Sequence, residues 1–216
     1  MQIFTIPGKN YDSNIYFLPG KNPTIIDTGT GVYSKEILKT IDTLLDSSKI
    51  KQIVLTHEHF DHVGGALDIL KATDNSAKIY CYEKAIHRLK TGKSSFAQML
   101  GCSMPEIHGC TAVSEADTLL CGNEPFTILY TPGHSLGSIC LYNQKEKVLF
   151  SGDTLFANGD FGRYDLTGGD FESLVQSLKR LSTLDVNDLY AGHGPIVENH
   201  AKEHVMKSYS NIQSMM

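Results

Sequence analysis

The sequence predicts a mixed α/β protein (α+β in its strand pairing), built as a four-layer αββα sandwich of two sheets with helices outside. Three observations carry this. Short strand-like runs and amphipathic helical runs interleave along all 216 residues. The first three strands are joined by short turns, so they pair antiparallel, whereas later strands are separated by helices. The second half of the chain then repeats the logic of the first, giving one domain of two similar halves.

Taken in order, Gln2 to Ile6, Asn14 to Leu18 and Thr24 to Asp27 read as strands separated by Pro-Gly or Asn-Pro turns. Ser34 is placed to cap a helix whose apolar positions are Ile37, Leu38, Ile41, Leu44 and Leu45. Residues 51 to 56 read as a buried strand. Val63, Ala66, Leu67 and Leu70, at i, i+3, i+4 and i+7, predict one face of a helix over 63–72. A strand at Lys78 to Cys81 and a short helix from Glu83 to Lys90 follow. Residues 91–116 have no steady period; a loop this long is either a partly apolar lip over a site or a surface excursion packed on the body or on a second subunit. Beyond it, Phe126 to Thr131, Ser138 to Tyr142 and Lys147 to Ser151 read as strands. Asp170 caps a helix carrying Phe171, Leu174, Val175, Leu178 and Leu181. A strand at Asp188 to Ala191 and a helix from about Asn199 complete the chain.

Composition removes several classes of function. A formal charge of −5 gives no footprint for nucleic acid or an anionic membrane. No apolar run approaches spanning length, and Met-Gln-Ile-Phe-Thr-Ile-Pro-Gly lacks a secretory layout. The five cysteines are odd in number and without paired spacing, so they read as reduced thiols of a cytoplasmic protein. The partner expected is a small-molecule substrate, with a second copy of the chain as a further candidate.

Chemistry concentrates at Thr56-His57-Glu58-His59-Phe60-Asp61-His62, where a strand turns into a helix. At this composition His-x-His-x-Asp-His arises by chance roughly once in a thousand such sequences. In a tight turn His57 and His59 can point the same way and hold one ion, while Asp61 and His62, offset by the turn, point to a second position. Imidazole nitrogen with carboxylate oxygen suits zinc, iron or manganese, and the absence of cysteine argues against a closed structural zinc site. Three later turns offer the remaining ligands, each directly after a predicted strand and each with Gly before the ligand: Gly133-His134, Gly152-Asp153 and Gly192-His193. With them the ligand count closes at two ions.

These segments resemble the metallo-β-lactamase superfamily, whose motifs they match in order: Ile25-Ile26-Asp27-Thr28-Gly29, then His57-x-His59-x-Asp61-His62, His134, Asp153 and His193. The resemblance implies the metallo-β-lactamase fold over nearly the whole chain. It implies one metal held by His57, His59 and His134, a second by Asp61, His62 and His193, and Asp153 shared between them. Two divalent ions are therefore expected, zinc first, with iron and manganese as alternatives. Asp27 ties loops together beneath such sites.

Within the superfamily, Thr131-Pro132-Gly133-His134-Ser135-Leu136-Gly137, Ser151-Gly152-Asp153-Thr154-Leu155-Phe156 and Gly162-Arg163-Tyr164-Asp165 are similar to glyoxalase II, a hydroxyacylglutathione hydrolase. What this implies is hydrolysis of a thioester or ester by a hydroxide bridging the two ions, with Asp61 and Asp153 as the catalytic carboxylates and Arg163 as a clamp on an anionic substrate. The other reading of Arg163 is a salt bridge to Asp165 or Asp170. Two departures stand out. The sequence ends 23 residues after His193, without the helical C-terminal domain with which glyoxalase II grips glutathione, and Asp165 stands where a substrate-binding Tyr is expected. The rival of another class is a mononuclear iron persulfide dioxygenase, which the chain also resembles; there His57, His134 and Asp153 alone would form the facial triad. A degenerate binding module and a β-lactamase are the weaker readings.

Overall fold

Strands joined by short turns pair antiparallel and strands joined through helices pair parallel, and here both kinds share one sheet. The computed structural model describes residues 1–216, the side chain of Ser95 excepted, in two units. The first comprises Met1–Val113 and Leu120–Glu124, the second Ser114–Leu119 and Pro125–Met216.

In the first unit the elements are β1 (Phe4–Ile6), β2 (Ile15–Leu18), β3 (Thr24–Ile26), α1 (Ser34–Asp42), β4 (Gln52–Val54), α2 (Phe60–Val63), α3 (Ala66–Ala72), β5 (Lys78–Tyr82), α4 (Ile86–Thr91), α5 (Ser95–Met99) and β6 (Thr111–Val113). The six strands lie in sequence order, β1-β2-β3-β4-β5-β6. The first three pair antiparallel, as their spacing predicts, and β3 to β6 pair parallel. Every residue of β2 and β3 is buried, which suits strands covered on both faces. Phe17, Ile25, Ile41, Ile53, Val63 and Ile69 belong to the core cluster of this unit.

Four expectations need correction. Ser34 is the first residue of α1 rather than its cap; Tyr33 holds the N-cap position, and Ser34 Oγ makes no cap bond. That helix stops at Asp42, so Leu44 is exposed. The helix expected over 63–72 is opened after Val63. Within an unbroken helix the Gly65 N–H would reach the Asp61 carbonyl. Instead it donates to Gly29 O at 3.2 Å, and Asp61 O accepts from Ser13 N at 3.1 Å. The inward face is consequently Val63, Ala66 and Ile69, and Leu67 faces outward. Finally, residues 91–116 hold α5 and β6. Ser94 caps α5 by accepting from Ala97 N, β6 extends the sheet beside β5, and Ala97, Met104 and Ile107 are buried in the core cluster.

The second unit continues with β7 (Thr118–Cys121), β8 (Glu124–Tyr130), β9 (Ile139–Asn143), β10 (Val148–Gly152), α6 (Phe171–Leu181), β11 (Asp188–Ala191) and α7 (Ala201–Gln213); β7 and β8 each have end residues in the first unit. Its sheet order is β11-β10-β9-β8-β7. The β8–β9 and β9–β10 pairs are antiparallel and β10–β11 is parallel. Asp170 caps α6 as expected, accepting from Ser173 N at 2.7 Å, and Leu174, Val175, Leu178 and Leu181 are its buried face. Among the described residues no helix is long and apolar enough to cross a membrane.

The opened turn between α2 and α3 depends on close backbone approach. A Cβ on Gly64 would stand 2.2 Å from Thr30 O, a main-chain atom that cannot swing away. Gly64→Ala is therefore expected to destabilise the protein by about 3 kcal/mol, lowering Tm by roughly 6–12 °C in a thermal melt.

Candidate metal centre

The first unit delivers four ligand-type side chains from the carboxyl end of β4. His57 lies in the turn after the strand, His59 occupies the N-cap position of α2, and Asp61 and His62 sit in its single turn. His57 and His62 are buried, with ring centroids 4.1 Å apart, and the His57 and His59 rings stand edge to face at 4.7 Å. One ligand atom of His57 lies within 4.8 Å of one of His59, and the same holds for Asp61 and His62.

What fixes these rings is Asp27, buried in the loop after β3. Its Oδ1 accepts from Thr56 N at 2.8 Å, and its Oδ2 accepts from Thr56 Oγ1 at 2.7 Å and pairs with His62 Nδ1 at 2.8 Å. A carboxylate already taking those protons can only accept from His62, so Nδ1 carries a hydrogen, and in the neutral ring the lone pair lies on Nε2, 3.7 Å from Asp61 Oδ2. Thr56 Oγ1 gives its one proton to Asp27. It is left to accept from His57 Nδ1 at 3.2 Å, which in the neutral ring puts the His57 lone pair on Nε2.

The second unit delivers three more from the ends of its strands. His134 follows β8 through Gly133, whose φ of +129° no ordinary residue adopts readily and whose absent Cβ would meet Leu174 N at 2.3 Å. Asp153 follows β10, and His193 follows β11. His134 Nδ1 donates to the Arg163 carbonyl at 2.8 Å, so in the neutral ring the lone pair lies on Nε2. That nitrogen lies 3.6 Å from Asp153 Oδ2, and His193 Nε2 lies 3.6 Å from the same oxygen.

These contacts fit a cation. Two atoms each about 2.0–2.1 Å from one tetrahedral ion are about 3.4 Å apart. At 3.6 Å His134 Nε2 and Asp153 Oδ2 are beyond hydrogen-bond reach and close to the separation of two ligand atoms on one ion. An anchored Nδ1–H is also the usual outer support of a metal-binding histidine.

Arg163 uses its main chain for His134, while its guanidinium forms a bidentate pair with Asp165 at 2.9 and 2.8 Å. Of the two ion pairs weighed for it from sequence, the one with Asp165 is formed. The anchoring roles of Thr56 and of the Arg163 carbonyl escaped the sequence reading. A hydroxyl directly before the first ligand is a usable signal, whereas a main-chain carbonyl leaves none in residue type.

Residues 8–193 match the sequence model of a family described as the metallo-beta-lactamase superfamily. The chain belongs to this superfamily. It is a superfamily of metallo-hydrolases, and the mixed α/β structure with two sheets is the metallo-beta-lactamase fold. This member is 32% identical over 203 residues to hydroxyacylglutathione hydrolase GloC of Haemophilus influenzae, covering 90% of this chain and 91% of that one. It is 31% identical over 172 residues to the hydroxyacylglutathione hydrolase of Psychromonas ingrahamii; there the match covers 78% of this chain but 55% of the relative, so it spans about half that relative's length. Among solved structures it is similar to the BLEG-1 B3 metallo-beta-lactamase (TM-score 0.82, 28% identity, 98% and 99% of the two chains). It is also similar to TTHA1623 in a di-iron-bound form (TM-score 0.75, 31% identity, 90% and 94%).

The Asp27 arrangement generates a direct test. In Asp27→Asn the amide oxygen can still accept from Thr56, but the amide N–H₂ then faces His62 Nδ1. The ring must move its hydrogen to Nε2 to accept that bond, and Nε2 ceases to be a ligand. Affinity for Zn²⁺ is expected to fall about tenfold or more, measured by competition with a chromophoric chelator on protein whose circular dichroism is unchanged.

Proposed function

We propose that this chain is a metal-dependent hydrolase of thioester or ester bonds, similar in action to hydroxyacylglutathione hydrolase, with a small-molecule substrate. The observation that carries the reading is the 32% identity to GloC across nine-tenths of both chains, together with histidines whose Nδ1 atoms are anchored so that Nε2 is available. In this reading His57, His59 and His134 hold one divalent ion, Asp61, His62 and His193 hold the other, and Asp153 is shared. Zinc suits the nitrogen and oxygen donor set, with iron or manganese as alternatives.

Bound there, the ions would supply a water acidic enough to ionise near neutral pH and would polarise the scissile carbonyl. The chain's own residues do the rest. Asp61 orients the attacking water from the mouth of α2 and takes up its proton for delivery to the leaving group. A thiolate departs without strong acid assistance, which suits a site whose sequence offers no separate general acid. Asp27 and Thr56 hold Nδ1 of His62 and His57, and the Arg163 carbonyl holds that of His134, so that each neutral ring would meet an ion through Nε2. The guanidinium of Arg163 is a candidate clamp for an anionic substrate. Its pair with Asp165 is two-thirds exposed on both sides (68% and 60%), so a substrate carboxylate could replace Asp165 at little cost.

The deciding assay offers S-lactoylglutathione and simple thioesters to protein of measured metal content, with glutathione persulfide and O₂ uptake as the contrast. Two ions per chain and thioester cleavage without O₂ uptake are expected; one iron and O₂ uptake would instead make it a persulfide dioxygenase. His59→Ala and Asp153→Ala should each hold less metal and turn over at below about a tenth of the parent rate while remaining folded, because each removes a charge-stabilising ligand.

A further inference from the structure

The turns that carry His134 and Asp153 leave the sheet from β8 and β10, and these strands are not neighbours. β9 lies between them, which puts their axes about 9–10 Å apart. No ladder bond can therefore join the two turns or set the 3.6 Å between His134 Nε2 and Asp153 Oδ2. Something else must bridge the gap.

Thr131 is the first residue of the His134 turn and Thr154 directly follows Asp153. Both are fully buried, and their hydroxyl oxygens lie 2.9 Å apart. Thr131 Oγ1 is also 3.4 Å from Cys140 Sγ on the intervening strand, and Cys140 Sγ is 3.6 Å from the carbonyl of Ser151 on β10. Burial pushes the Cys140 thiol up to about 11, so it stays protonated and can donate to that carbonyl. Thr154 N donates to the same Ser151 carbonyl at 3.0 Å. The polar atoms thus form a closed ring, in the order Thr131 hydroxyl, Thr154 side chain and main chain, Ser151 carbonyl and Cys140 thiol, linking three strands at the edge where the ligands emerge.

We propose that Thr131 and Thr154 are positioning residues, whose shared hydroxyl bond sets the distance between His134 and Asp153 and thereby tunes metal affinity. The inference rests on the proposed metal site. A hydroxyl pair serving only to satisfy buried oxygens would have no reason to join non-adjacent strands. Here it ties together the residue three before one ligand and the residue one after the other. The isosteric change Thr154→Val removes the bond and keeps the volume, whereas Thr154→Ser keeps the bond.

The test titrates metal-free full-length protein with Zn²⁺ against a chromophoric chelator and, separately, records the Tm of the metal-free form. Thr154→Val is expected to weaken binding by about tenfold or more, as loss of an outer support commonly does. Thr154→Ser should stay within about threefold of the parent, and both metal-free forms should melt within a few degrees of it. Thr131→Val, on the other turn, also gives up the Cys140 contact, should weaken binding at least as much as Thr154→Val, and serves in its place if that variant does not fold. The double variant should lose no more than Thr131→Val alone, because that change already removes both the hydroxyl pair and the Cys140 contact. Parent-like affinity in both valine variants, a serine variant no better than valine, or losses that multiply in the double variant would overturn the proposal. A parent protein that binds no Zn²⁺, Fe²⁺ or Mn²⁺ would instead overturn the metal-site reading itself, and this inference with it.

Discussion

Everything chemical in this fold depends on which nitrogen of each histidine carries its hydrogen. An imidazole can hold a cation only through a bare nitrogen, and which one is bare is decided by what the other touches. For His62 the partner is the Asp27 carboxylate, for His57 the Thr56 hydroxyl and for His134 the Arg163 carbonyl. None of these groups can donate back in its observed arrangement. In neutral rings these contacts place the hydrogen on Nδ1 of all three histidines.

Asp27 shows how far the constraint reaches. It sits at φ +59°, a left-handed conformation that Asp tolerates better than most side chains. Its N–H pairs with Val54 O at 2.9 Å, and the next residue, Thr28, donates to His62 O at 2.8 Å. One loop therefore grips both the end of β4 and the turn of α2. The same loop draws the Gly65 N–H away to Gly29 and opens the helix after Val63. Destabilising one helix and orienting two ligands are consequences of a single packing arrangement.

Much of this was legible in the sequence. The strand ends, the Gly before each later candidate and the His-x-His-x-Asp-His run located the turns that carry the candidate ligands, because turn chemistry and residue type are local properties. The cap at Asp170 was readable for the same reason. What was not legible was competition from afar. Val63, Ala66, Leu67 and Leu70 have good helical spacing, yet Ser13 and Gly29 take the backbone groups that a continuous helix needs. β6 and β7 were missed because they are short and carry exposed polar positions such as Thr111 and Thr118, so no alternation stands out. Thr131 and Thr154 look like ordinary turn threonines until the sheet order brings their hydroxyls together.

Arg163 separates what a residue type can reveal from what its backbone does. Its side chain, the feature that draws attention in the sequence, is exposed and held by a neighbouring carboxylate two residues on, a contact of small energetic consequence. Its carbonyl, which any residue would supply, anchors the buried His134 ring. The backbone path there is nevertheless exacting. A Cβ on the preceding Gly162 would lie 1.9 Å from Asp153 O and 3.0 Å from His134 Nδ1. The strand-end ligand Asp153 and the anchored ring of His134 thus both press on one glycine. It is that close approach, more than the charge beside it, that ties the Gly-Arg segment to the site.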